Sequence, residues 1–134
     1  MSDWRWPHFS PEEVLSPDGL KQLKLGFLMI NPMILDKVEE LRECVGPLKC
    51  NFDGHVHRGY RSAKENALIP GAEEFSYHVQ GLAMDLTSIS KPLVDLHQAA
   101  MTLGFHGIGY YPDRNFVHVD LRPRLTNKQV FWTK

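Results

Sequence analysis

Cysteine is scarce in this chain: Cys44 and Cys50 are the only two in 134 residues. Their spacing is neither a redox CxxC nor a zinc-knuckle pair, so two structural thiols in a reducing compartment are expected rather than a disulfide. Long apolar runs are also missing. No window holds the roughly 18 apolar residues of a membrane span, and Met1-Ser2-Asp3-Trp4-Arg5-Trp6-Pro7 lacks the apolar stretch of a signal peptide. No membrane insertion and synthesis in the cytoplasm are therefore expected. Neither charge sign is in excess: 15 basic residues face 16 acidic ones, a formal net charge of -1. That leaves no electrostatic reason to expect nucleic acid or an anionic membrane as partner.

What is present suits one ordinary domain, 1–134, with 43% hydrophobic and 23% charged residues. Ser10-Pro11-Glu12-Glu13 predicts a helix start, with Ser10 as N-cap, Pro11 in the first position and Glu13 completing a capping box. Asn31-Pro32 opens a second helix to about Cys44. Its apolar stripe is Ile34, Leu35, Val38, Leu41 and Val45, and Gly46-Pro47 stops it. Residues 48–60 read as irregular but strand-like, 61–66 as a short helical turn and 69–75 as a loop. Ser90-Lys91-Pro92 caps a helix to about Leu103, with Leu93, Val94, Leu96 and Ala100 facing the core and Gly104 at its end. Strands are predicted at 105–110 and 115–121, joined by Tyr111-Pro112-Asp113-Arg114. Phe131 and Trp132 in the tail are expected to dock on the body. This order predicts an α+β domain, a small and mainly antiparallel sheet flanked by helices.

Seven histidines are many for this length, and two of them meet a carboxylate in an informative pattern. From Gly81 to Thr87, Leu82, Met84 and Leu86 alternate against Ala83 and Asp85, as in a half-buried strand. In the last strand Phe116, His118 and Asp120 share one face, and Val117, Val119 and Leu121 take the other. Pairing the two strands sets Asp85 beside His118. His78 precedes the first strand, where the chain turns back, and Gly81 tolerates the backbone angles such a turn demands. Ala83 leaves room for an ion, and Ser76 is placed to brace the His78 loop. A lone histidine among apolar residues is commonly a hydrogen-bonded core group. A strand aspartate is costly to bury unless paired or metal-bound. Two imidazoles and one carboxylate together form the ligand set of a catalytic zinc ion, with a fourth position for water.

Ser76-x-His78-x-x-Gly81-x-Ala83-x-Asp85, with Phe116-Val117-His118-Val119-Asp120, resembles the zinc D-Ala-D-Ala carboxypeptidases and related peptidoglycan endopeptidases, whose fold is shared with the hedgehog signalling domain. Gly59-Tyr60-Arg61-Ser62-x-x-x-Asn66 is similar to another segment of that family. So are the opening His8-Phe9-Ser10-x-x-Glu13 and the stretch Gly107-Ile108-Gly109-Tyr110-Tyr111-Pro112. The resemblance implies the hedgehog/DD-peptidase fold and a Zn2+ ion held by His78, Asp85 and His118. It implies Arg61 as the arginine that anchors substrate or transition state, a task suited to a bidentate guanidinium, with Arg58 nearby as a possible substitute. It further implies cleavage of a peptide bond in peptidoglycan, as carboxypeptidase or endopeptidase, by a monomer acting on the stem peptide. Ser76 and Tyr110 join Arg61 as candidate substrate contacts. A phage-type enzyme of this kind would reach the wall after phage-assisted release, as an endolysin, or as a virion component.

One position departs from the family. Many relatives carry Glu or Asp three residues before the last zinc histidine as general base; here Asn115 stands there and cannot take a proton from water. Asp120 and then Asp113 are the candidate bases, with Asp120 alternatively orienting the imidazole of His118. Asn115 also keeps open a second function, a zinc-stabilised binding domain of the same fold without hydrolysis. His55 and His57 flank Val56 and would form an extra metal site only if both faced one side of a strand. His8, His97 and His106 lack partners in the sequence. Trp4, Trp6, Tyr110 and Tyr111 either line a groove or pack at its rim.

Overall fold

The computed structural model of the chain describes residues 4–54, 57–124 and 126–134. Its first three helices grow from Ser-Pro and Asn-Pro starts. Helix α1 (Pro11–Val14) follows Ser10, whose hydroxyl accepts the Glu13 N–H at 3.3 Å. The predicted capping box is only half built. The Glu13 carboxylate accepts the N–H of Cys50 instead, at 2.9 Å, which ties this single turn to a distant segment. Helix α2 (Pro17–Lys24) repeats the device with Ser16, which caps the Gly19 N–H at 3.3 Å. Helix α3 (Pro32–Val45) starts at Asn31, whose side chain accepts from Met33 N–H at 2.9 Å. The expected stripe of Ile34, Leu35, Val38, Leu41 and Val45 is buried, each such side chain contributing about 1.5–3 kcal/mol. Gly46, at φ 81°, ends the helix.

Helix α5 (Leu93–Leu103) buries Leu96 and Ala100. Val94 corrects the sequence expectation: it is 52% exposed, because residues two apart on a helix point away from each other and Leu96 takes the core side. Ser90 forms no cap; its hydroxyl meets the carbonyl of Val45 at 3.5 Å.

The five strands are β1 (Leu48–Lys49), β2 (Ala83–Ser88), β3 (Gly107–Tyr111), β4 (Phe116–Asp120) and β5 (Val130–Thr133), in the order β1-β2-β4-β3-β5. All neighbours run antiparallel except β3 and β5, so the sheet is mainly antiparallel as expected. The strand-like stretch shrinks to Leu48–Lys49, with turns after it; His55 and Val56 of that stretch lie outside the described residues. The tail does dock, but as strand β5, with Trp132 partly covered and Phe131 51% exposed. Between β3 and β4, a 3-10 turn (Pro112–Arg114) closes on Asn115 at φ 59°, a left-handed conformation that asparagine tolerates better than most residues.

Strand periodicity divides the sheet. Met84, Leu86, Ile108, Val117 and Val119 form one face and are buried with α3 and α5. Asp85, Gly107, Gly109, His118 and Asp120 form the other, which is the floor of the site. The chain enters β2 through Gly81, at φ 71°. Its carbonyl accepts the Asn31 N–H at 2.8 Å, and a Cβ there would run into the Met29 carbonyl. Glycine is required twice over, by its backbone angles and by close approach.

Helix α4 (Ala63–Ala67) is the predicted short turn after Arg61, and its start interlocks with that of α2. Ser62 accepts the Glu65 N–H at 3.1 Å, and Glu65 accepts the Ser62 N–H at 2.8 Å, a complete capping box. Glu65 also takes the Ser16 hydroxyl at 2.5 Å and the Asp18 N–H at 3.2 Å. Burial alone would raise the Glu65 carboxyl, but these hydrogen bonds outweigh it and hold the group below its ordinary value near 4.5. A carboxyl depressed by folding stabilises the fold above its unfolded value, and that contribution is lost as pH falls through the folded one. Urea unfolding of Glu65→Gln beside the parent chain should show a stability gap that is full at neutral pH and closes as pH drops below about 4.5; a gap constant with pH would exclude a charged Glu65 as the cause.

Candidate metal centre

Strands β2 and β4 pair with Asp85 opposite His118, the register that the alternation predicts. His78 arrives from the loop before β2. Its N–H donates to Ser76 Oγ at 3.2 Å, and its Nδ1 lies 2.8 Å from the Gly59 carbonyl. A carbonyl only accepts, so Nδ1 carries the proton and Nε2 keeps its lone pair. That Nε2 sits 3.2 Å from Asp85 Oδ1, and His118 Nδ1 approaches the same oxygen to 3.0 Å. The ligand atoms of His78, Asp85 and His118 all lie within 4.8 Å of one another, and the three residues are 4%, 4% and 9% exposed.

Each ligand is held from behind. The other oxygen of Asp85 accepts from Arg58 Nη1 at 3.1 Å, and the Asp85 N–H donates to the Arg58 carbonyl at 2.8 Å. His118 Nε2 lies 2.7 Å from Asp120 Oδ2, so its proton points to that carboxylate and Nδ1 faces inward. Two lone pairs and a carboxylate oxygen crowded together repel unless a cation lies between them. The donor set therefore fits a divalent ion, which would lie between these three atoms. Without the ion a proton serves: burial opposes charge on His118, but its hydrogen bonds and proximity to Asp120 and Asp85 push it up to about 9. Burial would likewise raise Asp85, yet His78 and His118 hold it well below the usual carboxylate range.

The profile of the peptidase M15 family matches residues 7–120. The chain belongs to that family. It is 34% identical over 136 residues to a protein of Haemophilus influenzae named probable peptidoglycan L,D-endopeptidase MepK, covering 91% of this chain and 71% of that one. It is 35% identical over 98 residues to the peptidoglycan L,D-endopeptidase MepK of Escherichia coli, covering 70% of this chain and 52% of that protein. The chain thus spans only about half the length of the Escherichia coli relative.

In this M15 peptidase the motif around Arg61 is a mechanical unit. Arg61 is 8% exposed. It donates to Asn66 Oδ1 at 2.9 Å, to the His57 carbonyl at 3.0 Å and to Ser76 Oγ at 3.3 Å. Helix α4, capped by Ser62, places Asn66, and Asn66 Nδ2 also ties down the Glu73 carbonyl at 2.7 Å. The hydrogen-bond partners of Arg61 among the described residues are neutral, and burial lowers its pKa against the opposing pull of Asp85. Arg61, Ser76 and the three ligands line one cleft of about 420 Å³. Arg58 instead bridges Asp85 and Asp53 and is spent on them.

Other candidates fall elsewhere. Tyr110 stacks on His97 of α5, centroids 4.4 Å apart, so it lies on the helical side of the sheet. Strand alternation gives the cleft to Tyr111, which corrects the expected substrate contact. Asp113 is exposed on the 3-10 turn and outside the cleft lining. Asp120 is fully buried, with both oxygens taken by His118 and Arg122. Trp4 and Trp6 pack with the core. His57 is described without its companion His55, so the extra metal site lies outside the described residues.

The sequence analysis missed a wall built after residue 120. Trp132 of β5 pairs beside Gly109 and lies 5.2 Å from the His118 ring, its Nε1 donating to the Tyr111 hydroxyl at 2.8 Å. Arg122 stacks between Tyr77 and Trp132, 4.6 and 5.1 Å from their rings. Both glycines of β3 make room for it: a Cβ on Gly109 would meet the Trp132 ring at 2.5 Å, and one on Gly107 would meet the Asp120 carboxylate at 2.5 Å. The local signal was Gly107-x-Gly109 in a strand, which marks a close approach.

Metal binding must displace the His118 proton, so affinity for a divalent ion should rise with pH up to about 9. Calorimetry at pH 7 in buffers of differing ionisation enthalpy should detect proton release; heats independent of buffer would contradict the proton's place at Nδ1. Asp120→Asn should weaken the ion by roughly 10- to 100-fold.

Proposed function

We infer that this chain is a zinc-dependent endopeptidase that cuts a peptide bond in the stem peptides of peptidoglycan. The observation that carries this reading is a cluster of three side chains able to hold a metal ion at the floor of an open cleft, beside a buried guanidinium whose hydrogen-bond partners among the described residues are neutral. Family membership supports a peptidase, and the names of the relatives support the substrate and an internal bond. Zinc accords with a donor set of two imidazoles and one carboxylate.

When bound, the zinc ion would acidify water and polarise the scissile carbonyl. The chain's own residues do the rest. His78, Asp85 and His118 would hold the ion, with their orientations fixed by Gly59, Arg58 and Asp120. Arg61, clamped by Asn66, Ser76 and the His57 carbonyl, presents its guanidinium to a substrate carboxylate or developing oxyanion. Asp120 acts as a positioning residue: the hydrogen bonds of His118 and Arg122 overcome burial and hold its carboxyl far down, which makes it a poor proton acceptor. Glu73 is the carboxylate besides Asp85 that lines the cleft among the described residues, and the proton taken from water is assigned to it.

His78→Ala, Asp85→Ala or His118→Ala should lose bound zinc and cleavage of purified wall peptides together, read by metal analysis and mass spectrometry of the fragments. Retention of both by any one variant would reject this centre. Arg61→Lys should keep zinc but lose about 1.5–3 kcal/mol of transition-state binding, seen in kcat/KM. Glu73→Gln should lower kcat with zinc retained; if Asp113→Asn did so instead, the proton assignment would move there.

A further inference from the structure

A second cavity of about 420 Å³ opens beside the metal cleft, on the other side of Arg61. Its polar wall is His57, Arg58, Arg61 and Arg114, and its apolar wall is Leu68, Ile69 and Pro70. The charges there are unequal in availability. Arg58 is neutralised by Asp53 and Asp85. Glu65 lines the cavity too, but its carboxylate is engaged by Ser16, Ser62 and the Asp18 N–H. Arg114 is exposed, stacks over Phe116 at 5.2 Å and pairs with no carboxylate among the described residues. His57 Nδ1 is buried and has no hydrogen-bond partner among the described residues, an unused polar atom in the same wall. Leu68 is 80% exposed at the rim.

A cationic pocket with one apolar side suits an amphipathic anion: a short aliphatic stem ending in a carboxylate. We propose that this cavity is a second subsite, which takes an acidic residue of the peptide substrate, its carboxylate on Arg114 and its methylenes on Leu68, Ile69 and Pro70. The proposal rests on the peptidase reading for the identity of the peptide. Arg58, Arg61, Ile69, Pro70 and Arg114 line both cavities, so the subsite adjoins the cleft in which the peptide would lie. Arginine serves here because its planar fork holds a carboxylate in two hydrogen bonds.

The test uses the zinc-loaded protein and muropeptides purified from a wall, either with free carboxylates or with those carboxylates converted to amides. The wild type should favour the free acid, and Arg114→Gln should lower kcat/KM on the acid by about tenfold, collapsing the acid-to-amide ratio. Leu68→Glu, at an exposed position that leaves the fold alone, should lower the same ratio by repulsion. A ratio unmoved by both variants, or equal losses on both peptides, would overturn the subsite. Equilibrium binding of the two peptides by calorimetry separates this from the parent reading. If the chain cuts neither peptide, the peptidase reading fails, and the subsite stands or falls on whether Arg114→Gln weakens the acid about tenfold in Kd while sparing the amide.

Discussion

A carboxylate taken out of water is the constraint on which the cleft side of this molecule depends. Asp85 is 4% exposed, and a buried charge costs several kcal/mol unless other charges and hydrogen bonds surround it. One oxygen is satisfied by Arg58, which is itself held by Asp53 and lies 5.1 and 4.9 Å from the Phe52 and Phe116 rings. The other oxygen faces two imidazoles. None of this assembles unless β2 and β4 pair in one register. A slip by one residue would set Asp85 opposite Val117 or Val119 and turn one strand over relative to the other, so that either Asp85 or His118 would enter the apolar layer. The packing of Met84, Leu86, Val117 and Val119 with α3 and α5 therefore does two jobs: it stabilises the fold and it fixes the ligands.

That coupling explains which features were legible in the sequence. The β2–β4 register could be read because each strand has one wholly apolar face and one that carries the ionisable residues, Asp85 in β2 and His118 and Asp120 in β4, and period two leaves a single consistent pairing. Helix α3 could be read because its stripe and both stop signals agree. Helix α2 went unassigned although Ser16-Pro17 repeats the signal of Ser10-Pro11, and its turns carry too few buried side chains to stand out: only Gly19 is fully buried. Tyr110 was placed in the cleft when the phase of β3 puts Tyr111 there, and the two glycines on the cleft face held that phase information. Strand β5 was least legible. Its residues are mostly exposed, its partner is parallel and distant in sequence, and Trp132 matters only because Gly109 gives it space.

Asn115 shows how one substitution can follow local backbone demands. It occupies the left-handed end of the 3-10 turn at φ 59°, where asparagine is among the few comfortable side chains. The tight turn that delivers β4 to the sheet therefore accounts for asparagine here without reference to the chemistry of the cleft.

The arginines of the cleft are sorted by the same rule that governs Asp85. A guanidinium next to a carboxylate is consumed by it, and one held by neutral groups keeps its charge for something else. Arg58 and Arg122 pair with Asp85 and Asp120, so each orients a residue that holds or is one of the three candidate metal ligands. Arg61 is buried to 8% exposure on an amide, a hydroxyl and a carbonyl. These satisfy its donors without cancelling its charge, and burial makes that charge costly to hold, as its lowered pKa records. Arginine nonetheless stays protonated. The cleft thus holds a guanidinium that no carboxylate among the described residues binds directly, beside the Asp85 charge that favours its protonated form.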